Sequence, residues 1–282
     1  MSTTNNKLHF LNPQSSSPAC EASPSSLGAA EPKENRPLFV FLPGMDGTGK
    51  LLHLQTPGLR TTFDMRCLSL PNRDDRTGWD DLAYQTIDLI HRELKDRSNR
   101  SVYLCGESFG GCLALQVIVR APELFDGLIL VNPASSFRKR AWMAWGIPLI
   151  RSLVEPIYQL STFGLLPFLI ALDRVSKRDR QQLVTAMQSV SSATASWRLS
   201  LLRDFDILPV QLHQFKKPAL LLASQGDRLL PSVEEAENLA RFFPNPKTIV
   251  LPDSGHVCLL ESEFNLYQVL QETQFLPEFA NC

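Results

Sequence analysis

No stretch of the sequence reaches the roughly 18 consecutive apolar residues that a bilayer-spanning helix needs, so no membrane span is expected. An excess of charge of one sign is also missing. The formal net charge is −1 and the 28 Lys and Arg are scattered, which argues against nucleic acid or another polyanion as partner. Cys20, Cys67, Cys105, Cys112, Cys258 and Cys282 contain no Cys-x-x-Cys spacing and no cluster with histidine. A zinc site is therefore not expected, no other metal or cofactor motif is present, and the thiols read as reduced structural residues of a cytoplasmic protein. The N-terminus lacks a basic patch followed by a long apolar run, and Leu8 to Leu11 is too short for a signal-peptide core. Residues 1–36 are rich in Ser, Pro, Asn and Ala and bury too little surface to offset ordering entropy, so they read as a disordered tail.

What remains suits one large domain with an insertion: 282 residues, 44% of them hydrophobic. Order is expected from Pro37. Leu38–Leu42 is continuously apolar, the pattern of a strand buried on both faces of a parallel sheet. Further strands are expected at Phe63–Leu70, from Val102, and at Leu128–Val131, Ala219–Ala223 and Thr248–Leu251. Between them fall helical patterns, one of which has Thr77 as its cap and Trp79, Leu82, Ala83, Ile87, Ile90 and Leu94 on one face. Strand–helix alternation predicts an α/β fold, a mostly parallel sheet flanked by helices. The alternation breaks down over 134–210, where Pro148, Pro156 and Pro167 interrupt apolar pieces. That segment reads as an inserted helical cap dividing the core into 37–133 and 211–282.

In such sheets, chemistry collects beyond the carboxyl ends of the strands. Val102-Tyr103-Leu104-Cys105 runs into Gly106-Glu107-Ser108-Phe109-Gly110-Gly111, and a buried helix follows. Strand, sharp turn and helix around Gly-x-Ser-x-Gly is the context of a nucleophile elbow, with Ser108 in a strained backbone conformation and no room for side chains at Gly106 and Gly110. A serine hydroxyl needs a base. Of the five histidines only His256 follows a late strand, in Ser254-Gly255-His256. The base needs an orienting carboxylate. Asp227 follows Ala219–Ala223. Asp253 is the rival, but it shares one short loop with His256. An oxyanion would need two backbone N–H donors, expected from Phe109 and from Met45 in the Pro43-Gly44-Met45-Asp46-Gly47-Thr48-Gly49 loop, which Asp46 and Thr48 brace. The same loop spells G-x-x-x-x-G-K over Gly44–Lys50, close to a phosphate-binding loop. Leu51 stands where that motif requires Ser or Thr.

With these motifs in this order, 37–275 resembles the α/β-hydrolase superfamily. Phe41–Gly49, Gly106–Gly111 and Ser254-Gly255-His256 followed by Leu259-Leu260-Glu261 resemble, more narrowly, the esterase/lipase/thioesterase region of the phytyl ester synthase-like proteins of plants and cyanobacteria. In the plant members an acyltransferase-like region follows. This chain ends at Cys282 without it. The resemblance therefore implies cleavage of a carboxylic ester or thioester, with transfer to a long-chain alcohol as the alternative and a non-catalytic binding module as a distant one. The apolar cap, with Trp142, Trp145 and Phe168 as candidate contacts, points to an acyl-lipid-like substrate and to peripheral contact with a membrane or lipid body.

Overall fold

The sheet has seven strands in the order β1-β3-β2-β4-β5-β6-β7: β1 His9–Leu11, β2 Leu38–Leu42, β3 Asp64–Ser69, β4 Val102–Glu107, β5 Gly127–Val131, β6 Ala219–Ser224 and β7 Pro246–Leu251. All pairs are parallel except β1 with β3. The computed structural model describes residues 8–13, 36–72, 77–95, 100–139 and 155–276. Continuous apolar runs make the central strands because both of their faces are covered. Leu38, Val40 and Leu42 point into one core layer, and Phe39 and Phe41 into the other. The first layer is closed by α2 (Trp79–Leu94), α3 (Phe109–Arg120) and α7 (Ser232–Ala240). The second is closed by α1 (Thr56–Leu59) and α8 (Leu266–Glu272).

The topology decides where a site can form. From β2 the chain moves outward to β3, then crosses back to β4 on the other side of β2. The loops after β2 and β4 therefore diverge from neighbouring strand ends, with Leu42 opposite Gly106, and leave a crevice at the switch point.

Three expectations need correction. Residues 1–36 are not wholly a disordered tail: His9–Leu11 forms β1, paired with Cys67–Ser69, and Leu8 is buried. A short apolar run suffices because the exposed edge of β3 offers a ready ladder of unpaired backbone groups. The N-cap of α2 is Gly78 rather than Thr77, with no side-chain cap bond, although Trp79, Leu82, Ala83 and Ile90 are buried as the periodicity predicts. Pro167 does not interrupt the cap. It lies inside α4 (Glu155–Leu169), in the last turn, where it removes one backbone donor without breaking the helix.

Between β5 and β6 the described insertion consists of α4, α5 (Lys177–Gln188) and α6 (Ser192–Arg203). Ser176 and Ser191 cap the latter two by accepting from the N–H groups of Asp179 and Thr194. The insertion is fastened to the core by a buried contact of 3.0 Å between His53 Nε2 and Asp179 Oδ1.

Leu8→Ala is expected to lower stability to urea by about 1–3 kcal/mol, the range for losing most of a buried leucine at an edge. An unchanged urea midpoint would return residues 8–13 to the status of a free tail.

Candidate active site

The turn after β4 is built by exclusion of side chains. A Cβ on Gly106 would lie 2.4 Å from the Gly110 carbonyl oxygen, and one on Gly110 would lie 2.0 Å from the Leu42 carbonyl oxygen. With both flanks stripped, the chain reverses at Ser108, which takes φ 53 and ψ −114. That conformation is unfavourable for a non-glycine residue and persists only where the surroundings over-determine it. Ser108 is thereby lifted onto the N-terminus of α3.

Two loops deliver its partners. His256 Nε2 lies 2.8 Å from Ser108 Oγ, and His256 Nδ1 lies 2.7 Å from Asp227 Oδ2. Since a carboxylate only accepts, Nδ1 carries the proton and Nε2 is left to accept from the serine hydroxyl. Asp227 accepts further bonds from the N–H groups of Leu229 (2.8 Å) and Leu230 (3.0 Å) and from the Ser232 hydroxyl. Burial by itself would raise its carboxyl. The His256 charge and these bonds outweigh burial and hold it below its ordinary 3.8. Burial likewise pulls His256 down, but the charge and hydrogen bond of Asp227 carry it above 6.5. Asp253, the rival acid, is exposed.

The histidine loop is held by residues that the motifs did not single out. Asn132, at the carboxyl end of β5 with φ 43, is fully buried. Its Nδ2 donates to the His256 carbonyl at 2.7 Å and to Ser224 Oγ at 2.9 Å, while its Oδ1 accepts from Ser224 N at 2.8 Å. One amide thus ties the ends of β5 and β6 to the histidine loop. Glu261 accepts from Gly255 N and Ser254 Oγ, each at 2.8 Å, and from Arg174 Nε of the insertion, also at 2.8 Å.

The Gly-rich loop crosses over the serine: a Cβ on Gly44 would lie 3.7 Å from Ser108 Cβ. Asp46 Oδ2 accepts from the Thr48 N–H (2.9 Å) and hydroxyl, which fixes the loop. Lys50 is exposed, unlike the phosphate-facing lysine that a nucleotide loop requires. Phe109 opens α3, so its N–H is among the first-turn donors without an intrahelical acceptor. Its ring turns away and stacks on Trp79 at 4.9 Å. Ser108, His256 and Met45 face a cavity of about 310 Å³ whose walls are mostly apolar and include Leu165, Leu169, Leu183, Met187, Leu199 and Val257. Of the cap residues singled out from the sequence, Phe168 is 44% exposed and outside this lining, to which α4 contributes instead Leu165, itself 42% exposed, and Leu169. Trp142 and Trp145 lie outside the described residues.

The chain as a whole is similar to known proteins. Residues 39–265 match the description "Alpha/beta hydrolase family". The chain belongs to the alpha/beta hydrolase family. As a hydrolase-type enzyme it resembles phytyl ester synthase 1, chloroplastic, of Arabidopsis thaliana, with 32% identity over 272 residues, 88% of this chain and 38% of that protein. The chain thus spans well under half the length of that relative. It is also 27% identical over 190 residues to pimeloyl-[acyl-carrier protein] methyl ester esterase of Nitrosomonas europaea, covering 64% of this chain and 74% of that one. Among solved structures, MenH from S. aureus superposes with a TM-score of 0.69 at 20% identity, covering 95% of this chain and 98% of that chain. The last likeness speaks to the fold.

One buried group in this hydrolase has no obvious part in the serine–histidine–aspartate chain. Glu107, the variable residue of the elbow, is 5% exposed, and its Oε1 has no hydrogen-bond partner among the described residues. Burial pushes its carboxyl up to about 8, against the pull of the His256 charge. At neutral pH it is therefore held as the neutral acid. The folded protein keeps the Glu107 proton to about pH 8, whereas the unfolded chain releases it near 4.5. Its contribution to stability is full below 4.5 and is lost as pH rises through about 8. Glu107→Gln should therefore unfold at a higher urea concentration than wild type at about pH 9 but show little such advantage at about pH 4. Parallel pH dependences in the two proteins would refute a buried neutral Glu107.

Proposed function

We propose that this enzyme cleaves the carboxylic ester or thioester bond of an apolar, acyl-lipid-like substrate through an acyl-enzyme on Ser108. The observation that carries the reading is the unbroken chain Ser108 Oγ–His256–Asp227 at the end of a largely apolar cavity. As Ser108 Oγ attacks the carbonyl carbon, His256 Nε2 takes the hydroxyl proton, and Asp227 stabilises the imidazolium that forms. The carbonyl oxygen becomes an oxyanion, for which the Phe109 and Met45 N–H groups are the donors. Collapse expels the alkoxide or thiolate, which receives the proton from Nε2. Water repeats the sequence on the acyl-enzyme, giving the carboxylic acid and restoring Ser108. The esterase named among the relatives supports an ester substrate.

A second reading is favoured by the likeness to a phytyl ester synthase: a long-chain alcohol replaces water in the second half. The free, buried thiols Cys67, Cys105, Cys112 and Cys258 fit a reducing compartment, the cytoplasm or the chloroplast for which the relative is named. Leu160, Phe163 and Phe168, exposed on α4, support peripheral contact with a membrane or lipid body. Leu160→Asp should then reduce co-sedimentation with phospholipid vesicles, and equal sedimentation would exclude that contact.

A fluorophosphonate probe should label wild type at Ser108 and leave Ser108→Ala unlabelled. Labelling at another residue, or none in folded wild type, would sink the mechanism. Hydrolysis should improve along a series of lengthening acyl esters, and a preference for acetyl would remove the lipid-like substrate. Added long-chain alcohol should leave the free acid as main product. An ester as main product would install the transferase reading.

Because His256 works as the neutral base and sits above 6.5, kcat/KM should fall as pH drops through a value above 6.5. Asp227→Asn should cost about 10⁴ in kcat through the wrong tautomer. A loss below tenfold would show that Asp227 does not orient the base.

A further inference from the structure

Arg198 is the largest fully buried side chain described, and the reading above gives it no part. It comes from α6 in the insertion yet reaches the core loop after β2. Its Nη1 donates to the Met45 carbonyl and its Nη2 to the Pro71 carbonyl at 2.8 Å, while its Nε has no partner among the described residues. The guanidinium packs against Gly47. A Cβ there would stand 2.7 Å from Nη2 and 2.8 Å from Nη1, and φ at Gly47 is +68. The absence of a side chain at Gly47 is thus what lets the cation reach the loop. α6 is pinned on both sides of Arg198, since Trp197 Nε1 donates to the Thr77 carbonyl at 3.0 Å and Trp79 Nε1 donates to the Leu201 carbonyl at 2.7 Å.

Burying a guanidinium without a hydrogen-bonded carboxylate is unfavourable. Desolvation draws its pKa down to about 10, with the Asp46 charge opposing. A helix–loop contact needing only adhesion would be made better by apolar groups. What a guanidinium adds is a rigid fork that fixes two carbonyls at once. One of these belongs to Met45, whose N–H is the second oxyanion donor in the proposed function.

We propose that Arg198 is a positioning residue, which clamps the Met45 carbonyl from the cap and thereby aims the Met45 N–H at the oxyanion. The inference rests on the serine-hydrolase reading. It makes the cap part of the catalytic assembly: Arg198 touches no substrate, but it adds to the loop's own Asp46–Thr48 bonds a hold on the Met45 carbonyl that lasts while α6 is seated on the core.

The test compares two inhibitors of one chain length. An alkyl trifluoromethyl ketone forms a tetrahedral oxyanion adduct with Ser108, and the matching alkyl ether fills the cavity without one. In Arg198→Met the ketone should bind about 100-fold more weakly, the scale for losing one oxyanion donor, with the ether unchanged within about twofold. Arg198→Lys keeps the charge but cannot span both carbonyls, and should show the same selective loss at about tenfold. Partial unfolding weakens both inhibitors by the same factor, so the ketone-to-ether ratio is the readout, and Arg198→Lys decides the matter should Arg198→Met fold poorly. Parallel weakening of ketone and ether would reduce Arg198 to a structural prop, and no change in either would remove it altogether. Either result leaves the hydrolase reading standing, provided wild type forms the ketone adduct on Ser108. Failure of wild type to do so overturns both.

Discussion

The constraint on which the rest depends is steric. At Gly106 and at Gly110 the backbone passes so close to itself and to the Leu42 carbonyl that no side chain fits, and Ser108 between them takes a positive φ. Such a residue does not hold its conformation alone. It is trapped by the register of β4 between β2 and β5 and by the first turn of α3, whose buried face from Phe109 to Ile118 is seated on the sheet. The apolar core is thus what keeps the hydroxyl exposed, and the same turn presents the Phe109 N–H to the same region.

Around that point the sheet acts as a jig. β2, β4, β6 and β7 each end at one edge, and the loops they release carry Met45, Ser108, Asp227 and His256 respectively. None of these four is near another in sequence. Because the strands are parallel and in fixed register, their carboxyl ends are neighbours whatever the intervening helices do. The buried polar groups behind the site fix what register leaves free: Asn132 sets the spacing of β5, β6 and the histidine loop, and Glu261 sets the path of Ser254–Gly255.

This division explains what the sequence discloses. Buried parallel strands are legible because two-face burial leaves continuous apolar runs such as Leu38–Leu42 and Ala219–Ala223. Ser108, Asp227 and His256 are legible because each follows such a run. β1 is hidden because its partner is chosen by the bare edge of β3, a property of the assembled sheet rather than of His9–Leu11. The inward face of α4 is hidden for a related reason. The helix is apolar on both faces, so periodicity does not separate Leu165 and Leu169, which line the cavity, from Phe168, which does not. Arg198 sits in a polar, helix-forming stretch where an arginine reads as a surface residue. Its burial depends on Gly47, some 150 positions away along the chain, lacking a side chain. Glu107 offered a signal that pattern reading passes over: an acid closing an otherwise apolar buried strand.

Burying Glu107 and Arg198 and half-burying Asp46 near Ser108 runs against stability, since each is an ionisable group withdrawn from water. The three differ in how they meet that penalty. Glu107 sheds it by staying protonated, and Asp46 reduces it by accepting two bonds from Thr48. Arg198 has no such escape at neutral pH, because its pKa, even drawn down to about 10, leaves it charged. Its charge must be met by the two carbonyls and by whatever charge Asp46 retains. A residue in that position binds its partners with all the free energy that their absence would forfeit. Lifting α6, however, would return the guanidinium to water and leave the Met45 and Pro71 carbonyls without their donor, so the buried charge itself favours release, and what keeps Arg198 in place is the apolar packing of α6 together with the Trp197 and Trp79 bonds on either side of it.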